Sequence, residues 1–235
     1  MIQYTSMDQN KDILSVSNSI LLSGILIAIS IFWSSNNTSS EASQKQEINV
    51  QQENTEIIDI VSRADEATEG DGEVVVYEFS DFQCPFCQQF WNTTYKQIKE
   101  EYVDTNKITF IYRQFPIASL HPSAHKAAEA SECANDQNKF WQYHDLLFEN
   151  GKSNGAGLDI PSLKRYASDL SLDTNEFNKC LDGGEKTSVV NADIQMAGKV
   201  GISGTPSFII NGQKHVGALS YTELKQIIDQ ALSTK

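Results

Sequence analysis

The pair Cys84 and Cys87, with the segments on either side of it, constrains the fold more than any other feature of the sequence. Residues 73–79 form a short run of β-branched and aromatic residues that is typical of a buried strand. Residues 88–102 have helical spacing of apolar positions, and residues 108–112 predict a second strand. This order predicts two parallel strands joined by a crossover helix that begins at the cysteines.

The second half of the chain predicts a run of helices followed by a hairpin and a last helix. Helical spacing continues from residue 120 to residue 200, and residues 204–210 then predict a strand. Asn211–Gly212 is a strong signal for a two-residue hairpin turn. The predicted class is therefore α/β, with a β-α-β unit, an inserted helical domain at about residues 118–200, and a β-β-α unit.

The spacing of Cys84 and Cys87 is suited to a dithiol that exchanges electrons. Cys84 at a helix start meets free N–H groups and the positive end of the helix dipole, so its pKa should fall. We therefore expect Cys84 to be the exposed thiolate nucleophile and Cys87 to be the resolving thiol. The same motif is also compatible with an inert pair or with half of a zinc site. The candidate remaining zinc ligands are Cys133, Cys180, His121 and His125.

The Thr205–Pro206 bond and Glu78 are further candidates for the same site. Pro206 precedes an apolar strand, where a cis Thr205–Pro206 bond would expose the Thr205 backbone beside the sulfurs, but a trans bond is equally compatible. Glu78 is a carboxylate inside an apolar strand, which is costly without a task or a partner. We interpret Glu78 as a proton relay for Cys87; the alternative is that it reaches solvent or a lysine.

The N-terminal third is predicted to stay outside this domain. Residues 13–33 carry no charge and are read as a membrane anchor, with a cleaved signal sequence as the alternative, after a short segment at residues 1–12. Residues 34–70 are read as a polar, acidic linker, in which Ile57, Ile58 and Val61 predict a short helix. The domain is placed at residues 71–235. The net charge of −13 argues against binding to nucleic acid.

Three segments in order resemble the DsbA-like branch of the thioredoxin superfamily: residues 79–87, residues 134–144 and residues 201–212. The resemblance implies a thioredoxin fold, a cis Pro206 opposite the active-site disulfide, Cys84 as nucleophile and an acidic residue at the place of Glu78. It also implies oxidation of thiols in exported proteins, and re-oxidation by a membrane quinone reductase of the DsbB or VKOR type. No cofactor and no metal are expected, and a monomer is the default.

The chain departs from the family in two places. The best-known oxidases carry histidine where Phe86 stands, and phenylalanine cannot stabilise a neighbouring thiolate by charge. The pair Cys133 and Cys180 is not general to the family. We interpret it as a structural disulfide between two insertion helices; two buried free thiols are the alternative.

The predicted function is that of a dithiol oxidase with an extracytoplasmic catalytic domain, either anchored to the membrane or secreted after cleavage. A disulfide isomerase or reductase with the same site is the first alternative. A binding module whose cysteines only stabilise it is an alternative of another class, and a peroxidase-like enzyme is a fourth. Isomerases of this superfamily usually carry a folded dimerisation module before the catalytic domain. Residues 34–70 are too polar and too short for one, which favours the oxidase.

Overall fold

The computed structural model describes residues 58–234 of the chain. The predicted anchor at residues 13–33 and the larger part of the predicted linker lie outside these residues. Within residues 58–234, no helix combines the length and the apolar character needed to cross a bilayer.

A five-stranded mixed sheet forms the centre of the described domain. Its strands follow the spatial order β1-β3-β2-β4-β5, and the central pair β2 and β3 is parallel while all other pairs are antiparallel. Both central strands end at the same edge of the sheet, because parallel strands share a direction. The strands are β1 Ala67–Glu69, β2 Val74–Ser80, β3 Ile108–Gln114, β4 Ser207–Ile210 and β5 Gln213–Val216.

The helices occupy the positions that the periodicity predicts. The crossover helix begins as α1 (Pro85–Phe90) and continues through a π-helical segment (Trp91–Tyr95), α2 (Lys96–Ile98) and a second π-helical segment (Lys99–Val103). Five helices lie between β3 and β4 and form the predicted insertion. They are α3 Ala124–Asn135, α4 Phe140–Asn150, α5 Ile160–Asp169, α6 Thr174–Gly183 and α7 Thr187–Lys199, and the last helix of the described chain is α8 Tyr221–Ser233. The α/β class with a helical insertion is confirmed.

Local sequence signals set several boundaries of these elements. Ser220 and Glu223 form a complete capping box at the start of α8, as predicted. Asn211 and Gly212 both have positive φ, at 49° and 75°, which matches the two-residue turn that joins twisted antiparallel strands. The hairpin β4–β5 is thus confirmed.

The N-terminal part of the described chain differs from the prediction. Residues 58–61 do not form a helix. The backbone N–H of Ile58 donates to the carbonyl oxygen of Gly212 at 3.0 Å, and Ile60 is buried with Phe79 on the sheet. These contacts hold the segment along the sheet, so the predicted short helix is wrong for Ile58 and Val61, while Ile57 lies outside the described residues. Strand β1, which follows, was not predicted because a strand of three residues is too short to show an alternation of apolar and polar positions.

A buried ion network fixes the insertion to the sheet. Arg113 on β3 is 1% exposed and donates to the Asp193 carboxylate on α7 at 2.8 Å. It also pairs with Glu66, and Arg63 donates to Asp193 at 2.6 Å. Since an unpaired buried charge is strongly destabilising, this network requires α7 and residues 63–66 to stay on the sheet.

Candidate redox site

The loop between β2 and α1 is held by one buried carboxylate. Asp81 is 1% exposed and accepts hydrogen bonds at 2.8 Å from the backbone N–H groups of Gln83 and Ile117. The ring Nδ1 of His121 lies at the same distance from this carboxylate. Residues 115–121 follow β3, so Asp81 joins the loops at the ends of both parallel strands. The backbone N–H of Cys84 in turn donates to the carbonyl oxygen of Asp81 at 3.0 Å, which places this cysteine at the helix start.

Cys84 occupies the N-cap position of α1 with an extended backbone, and Pro85 stands in the first turn. The thiol of Cys87 lowers the pKa of Cys84 to about 6, chiefly by donating a hydrogen bond to the thiolate. The Thr205 side chain and the first backbone N–H groups of the helix add to this effect, and burial opposes it. The sequence predicts an exposed nucleophile at this position. The structure differs, because Cys84 is only 4% exposed.

Cys87 has the opposite electrostatic environment one turn into the helix. It is completely buried, and burial raises the pKa of its thiol well above the usual value. The adjacent Cys84 thiolate and the carboxylate of Glu78 raise that pKa further. At neutral pH the pair therefore carries one proton, which lies on Cys87, while Cys84 is a thiolate.

The loop before β4 lies against the cysteines. The peptide bond between Thr205 and Pro206 is cis. When Cys84 is protonated, its thiol can donate to the carbonyl oxygen of Thr205, which lies 3.5 Å from the sulfur. The structure thus brings the Thr205 carbonyl group, which precedes the cis bond to Pro206, to the sulfur of Cys84.

Glu78 lies on β2 and faces the cysteine helix. It is 2% exposed, and burial raises its pKa from 4.5 to about 8. A carboxyl group with this pKa is largely protonated at neutral pH and still ionises readily, which suits a group that gives and takes a proton. The alternative of solvent or a lysine is not observed, because Glu78 is 2% exposed and no lysine of the described residues pairs with it.

The second cysteine pair lies in the insertion, away from this edge of the sheet. Cys133 on α3 and Cys180 on α6 form a disulfide with a sulfur–sulfur distance of 2.00 Å and a Cα–Cα distance of 5.9 Å. Both residues are buried in the main hydrophobic core. Cys84 and Cys87 are not bonded to each other in this structure, which therefore describes the dithiol form.

His144 and His125 lie in different surroundings. His144 is 1% exposed and packs among aromatic rings, with centroid distances of 5.1 Å to Tyr112 and 5.0 Å to Phe148. This agrees with its interpretation as core packing. His125 contacts Glu129 at 3.0 Å on its own helix.

Sequence reasoning missed the positioning residues around Asp81. The side chain of Gln83 accepts from Ser123 N–H at 2.8 Å and donates to the Ser153 carbonyl at 3.1 Å, which ties the active-site loop to the insertion. A carboxylate directly after a buried strand was the available signal for Asp81. The pairing with His121 depends on long-range folding, which no local pattern shows.

Comparison with known proteins agrees with this description. A family model described as thioredoxin matches residues 69–230. The chain is 29% identical over 165 residues to the probable disulfide bond formation protein D of Bacillus anthracis, covering 69% of this chain and 75% of that protein. It is 33% identical over 161 residues to the Na(+)/H(+) antiporter NhaA 3 of Salinispora tropica, covering 68% of this chain. That alignment spans only 24% of the antiporter, so the chain corresponds to about a quarter of that relative.

Solved structures show the same fold. The alpha-DsbA1 of Wolbachia pipientis superposes with a TM-score of 0.65 at 24% identity, covering 74% of this chain and 94% of that one. The fold and the family model together define the described domain as a thioredoxin-type domain. More particularly, the chain belongs to the thioredoxin family and is similar to the DsbA-like enzymes, which confirms the predicted resemblance.

Proposed function

We propose that the protein is a dithiol oxidase that introduces disulfides into exported proteins through Cys84 and Cys87. The observation that carries this proposal is the separation of the two thiol pKa values, with Cys84 at about 6 and Cys87 well above its usual value. A stabilised thiolate favours the reduced form and makes the disulfide a stronger oxidant.

The reaction follows from this separation. A substrate thiolate attacks Cys84 of the Cys84–Cys87 disulfide, and Cys87 leaves as a thiolate that takes up a proton. A second substrate thiolate then attacks the substrate sulfur of the mixed disulfide and releases Cys84 as a thiolate. Two electrons pass from the substrate dithiol to the enzyme. The carbonyl group of Thr205, beside Cys84, is available to pair with the substrate chain while Pro206 fixes the loop.

Each turnover leaves the enzyme as a dithiol, so an electron acceptor is required. We infer that a membrane quinone reductase of the DsbB or VKOR type fills this role, with the chain held at the membrane through residues 13–33. The catalytic domain is then extracytoplasmic, at the cell surface or in the periplasm, and a cleaved, secreted form is the alternative. The disulfide between Cys133 and Cys180 supports this location, because structural disulfides persist mainly in oxidising compartments.

Two substitutions test the proposed roles of the cysteines with reduced ribonuclease A as substrate. Cys84→Ser should abolish oxidation, and Cys87→Ser should accumulate mixed disulfides that gel electrophoresis without reductant detects. Replacement of Cys133 and Cys180 together by Ala is the matched control, since it removes two cysteines outside the site. Oxidation at the wild-type rate by Cys84→Ser would contradict the proposal.

A further inference from the structure

Three buried polar side chains lie behind Cys87 on one face of the sheet. Glu78 and Ser80 are two residues apart on β2, so both point to the same side. Tyr112 on β3 is directly beside Glu78 in the register of the parallel strands. All three residues are at most 2% exposed. They form a polar patch, made of Glu78, Ser80 and Tyr112, inside the otherwise apolar core that also contains Cys87.

Two groups of this patch are not explained by the fold. The hydroxyls of Ser80 and Tyr112 are buried, and neither has a hydrogen-bond partner among the described residues. A buried hydroxyl without a hydrogen-bond partner is destabilising, so a functional reason is expected for each of the two. The ring of Tyr112 packs against Phe82 at 5.2 Å and Phe140 at 5.4 Å, but phenylalanine would make the same contacts. Packing therefore accounts for the ring and not for its hydroxyl.

The position of the Ser80 hydroxyl points to a role in proton movement. The Ser80 hydroxyl neighbours Glu78, Cys87 and Tyr112 without a fixed hydrogen bond to any of them, and it lowers the pKa of each against the effect of burial. One hydroxyl without a fixed partner thus stands among three groups that can hold a proton. A hydroxyl can accept a proton from one neighbour while it donates its own to another.

We propose that the Ser80 hydroxyl carries a proton between Cys87 and Glu78, and that the Tyr112 hydroxyl positions this exchange by donating to the Glu78 carboxylate when it forms. The proposal rests on the function proposed above and assigns two residues to it beyond Glu78. Without these hydroxyls, Cys87 would have to exchange its proton inside an apolar core.

The proton transfer accompanies thiol–disulfide exchange in both directions. Resolution starts from ionised Glu78: as Cys87 attacks the mixed disulfide on Cys84, the Cys87 proton passes to the Ser80 oxygen while the Ser80 proton passes to the Glu78 carboxylate. The Cys87 sulfur then bonds to the Cys84 sulfur, and the partner leaves with the electron pair as a thiolate. In the oxidase direction Cys87 leaves as a thiolate, and protonated Glu78 returns a proton to it through Ser80.

Other titratable groups face the patch and belong to its pH dependence. They come from the loop after β2, from the crossover helix and from α4, and they are Asp81, Cys84, Tyr95 and His144. Strand β4 contributes the apolar Phe208 opposite Glu78. A substitution at Ser80 or Tyr112 leaves all of these side chains in place. A changed pH profile in the variants is therefore due to the patch itself.

The test uses the full chain, with oxidised glutathione as the probe. Cys84 first attacks glutathione disulfide, and Cys87 then resolves the mixed disulfide; acid quenching and mass spectrometry separate the two steps. Ser80→Ala and Tyr112→Phe should each slow resolution about tenfold at pH 7 and move its pH profile up by about one unit, since one pKa unit is a tenfold change in thiolate. Attack by Cys84 should stay within about twofold of wild type. Tyr143→Phe is the matched control, because it removes a buried hydroxyl that binds the Leu163 carbonyl in the insertion.

Resolution as fast in both variants as in the Tyr143→Phe control would overturn the proposal, as would an equal loss in the Cys84 step. A second readout needs no turnover: a carboxyl titration by NMR should show the pKa of Glu78 rising in Ser80→Ala, and an unchanged value refutes the relay. Failure of the wild-type chain to form any mixed disulfide would instead refute the proposed function, and the titration would still decide the relay. Unfolding in urea should show Ser80→Ala to be at least as stable as wild type, because the lost hydroxyl has no partner.

Discussion

The carboxyl of Glu78 should make the stability of the dithiol form depend on pH in a direction that the structure fixes. Burial raises its pKa from 4.5 to about 8, so the folded state binds this proton more tightly than the unfolded state. The stabilising contribution of the proton is complete below pH 4.5 and is lost as the pH rises towards 8. At about 1.4 kcal/mol for each pKa unit, the whole difference corresponds to about 5 kcal/mol, of which about 3 kcal/mol is lost by pH 7.

The substitution Glu78→Gln removes this dependence and keeps the shape of the side chain. Urea unfolding of the dithiol form, followed by tryptophan fluorescence, should show the variant gaining about 3 kcal/mol relative to wild type between pH 4.5 and pH 7. Glu149→Gln, which removes an exposed carboxyl, is the control. A difference in unfolding free energy between Glu78→Gln and wild type that stays constant over this range would show that Glu78 does not have a raised pKa in the folded state. The same variant should also exchange thiols more slowly, because Cys87 loses its proton partner.

Three other outcomes follow from the cysteine environments. Alkylation of wild-type Cys84 by iodoacetamide should reach half its maximal rate near pH 6; a midpoint at the ordinary thiol value would contradict the described site. Phe86→His places a cation beside the thiolate, so this midpoint should fall and the disulfide should become more oxidising; an unchanged alkylation profile would count against that reasoning. Replacing Cys133 and Cys180 together by Ala opens a loop of 47 positions and should cost about 3–4 kcal/mol in urea unfolding with most activity retained, whereas loss of exchange in the folded protein would contradict a structural role.

The parts of the fold that could be predicted are those with a local cause. The apolar run at β2, the helical spacing after Cys87 and the turn at Asn211–Gly212 each depend on neighbouring residues, and all three appear in the structure. Strand β1 was missed because it is held only by pairing with β3, from which it is far in sequence. The segment at Ile58 was misread as a helix for the same reason, since its conformation is set by a contact with the distant hairpin.

The candidate site, like the fold, could be predicted only where the cause is local. The motif shows that Cys84 begins a helix, and the cost of a buried charge singles out Glu78. The burial of Cys84 was not foreseen, because the loop at Thr205 covers it only after folding. The hydroxyl of Tyr112 reaches the patch through the register of two strands, which the sequence of either strand alone does not reveal.

The reduction potential of the Cys84–Cys87 pair in the full chain tests the central claim most directly. Equilibration against glutathione, with the fraction of disulfide measured by alkylation and mass spectrometry, gives this potential. We expect a value well above the roughly −270 mV of thioredoxin, since the thiolate of Cys84 is stabilised in the reduced form. A value at or below that of thioredoxin would contradict an oxidase and would make a reductase the function of this site.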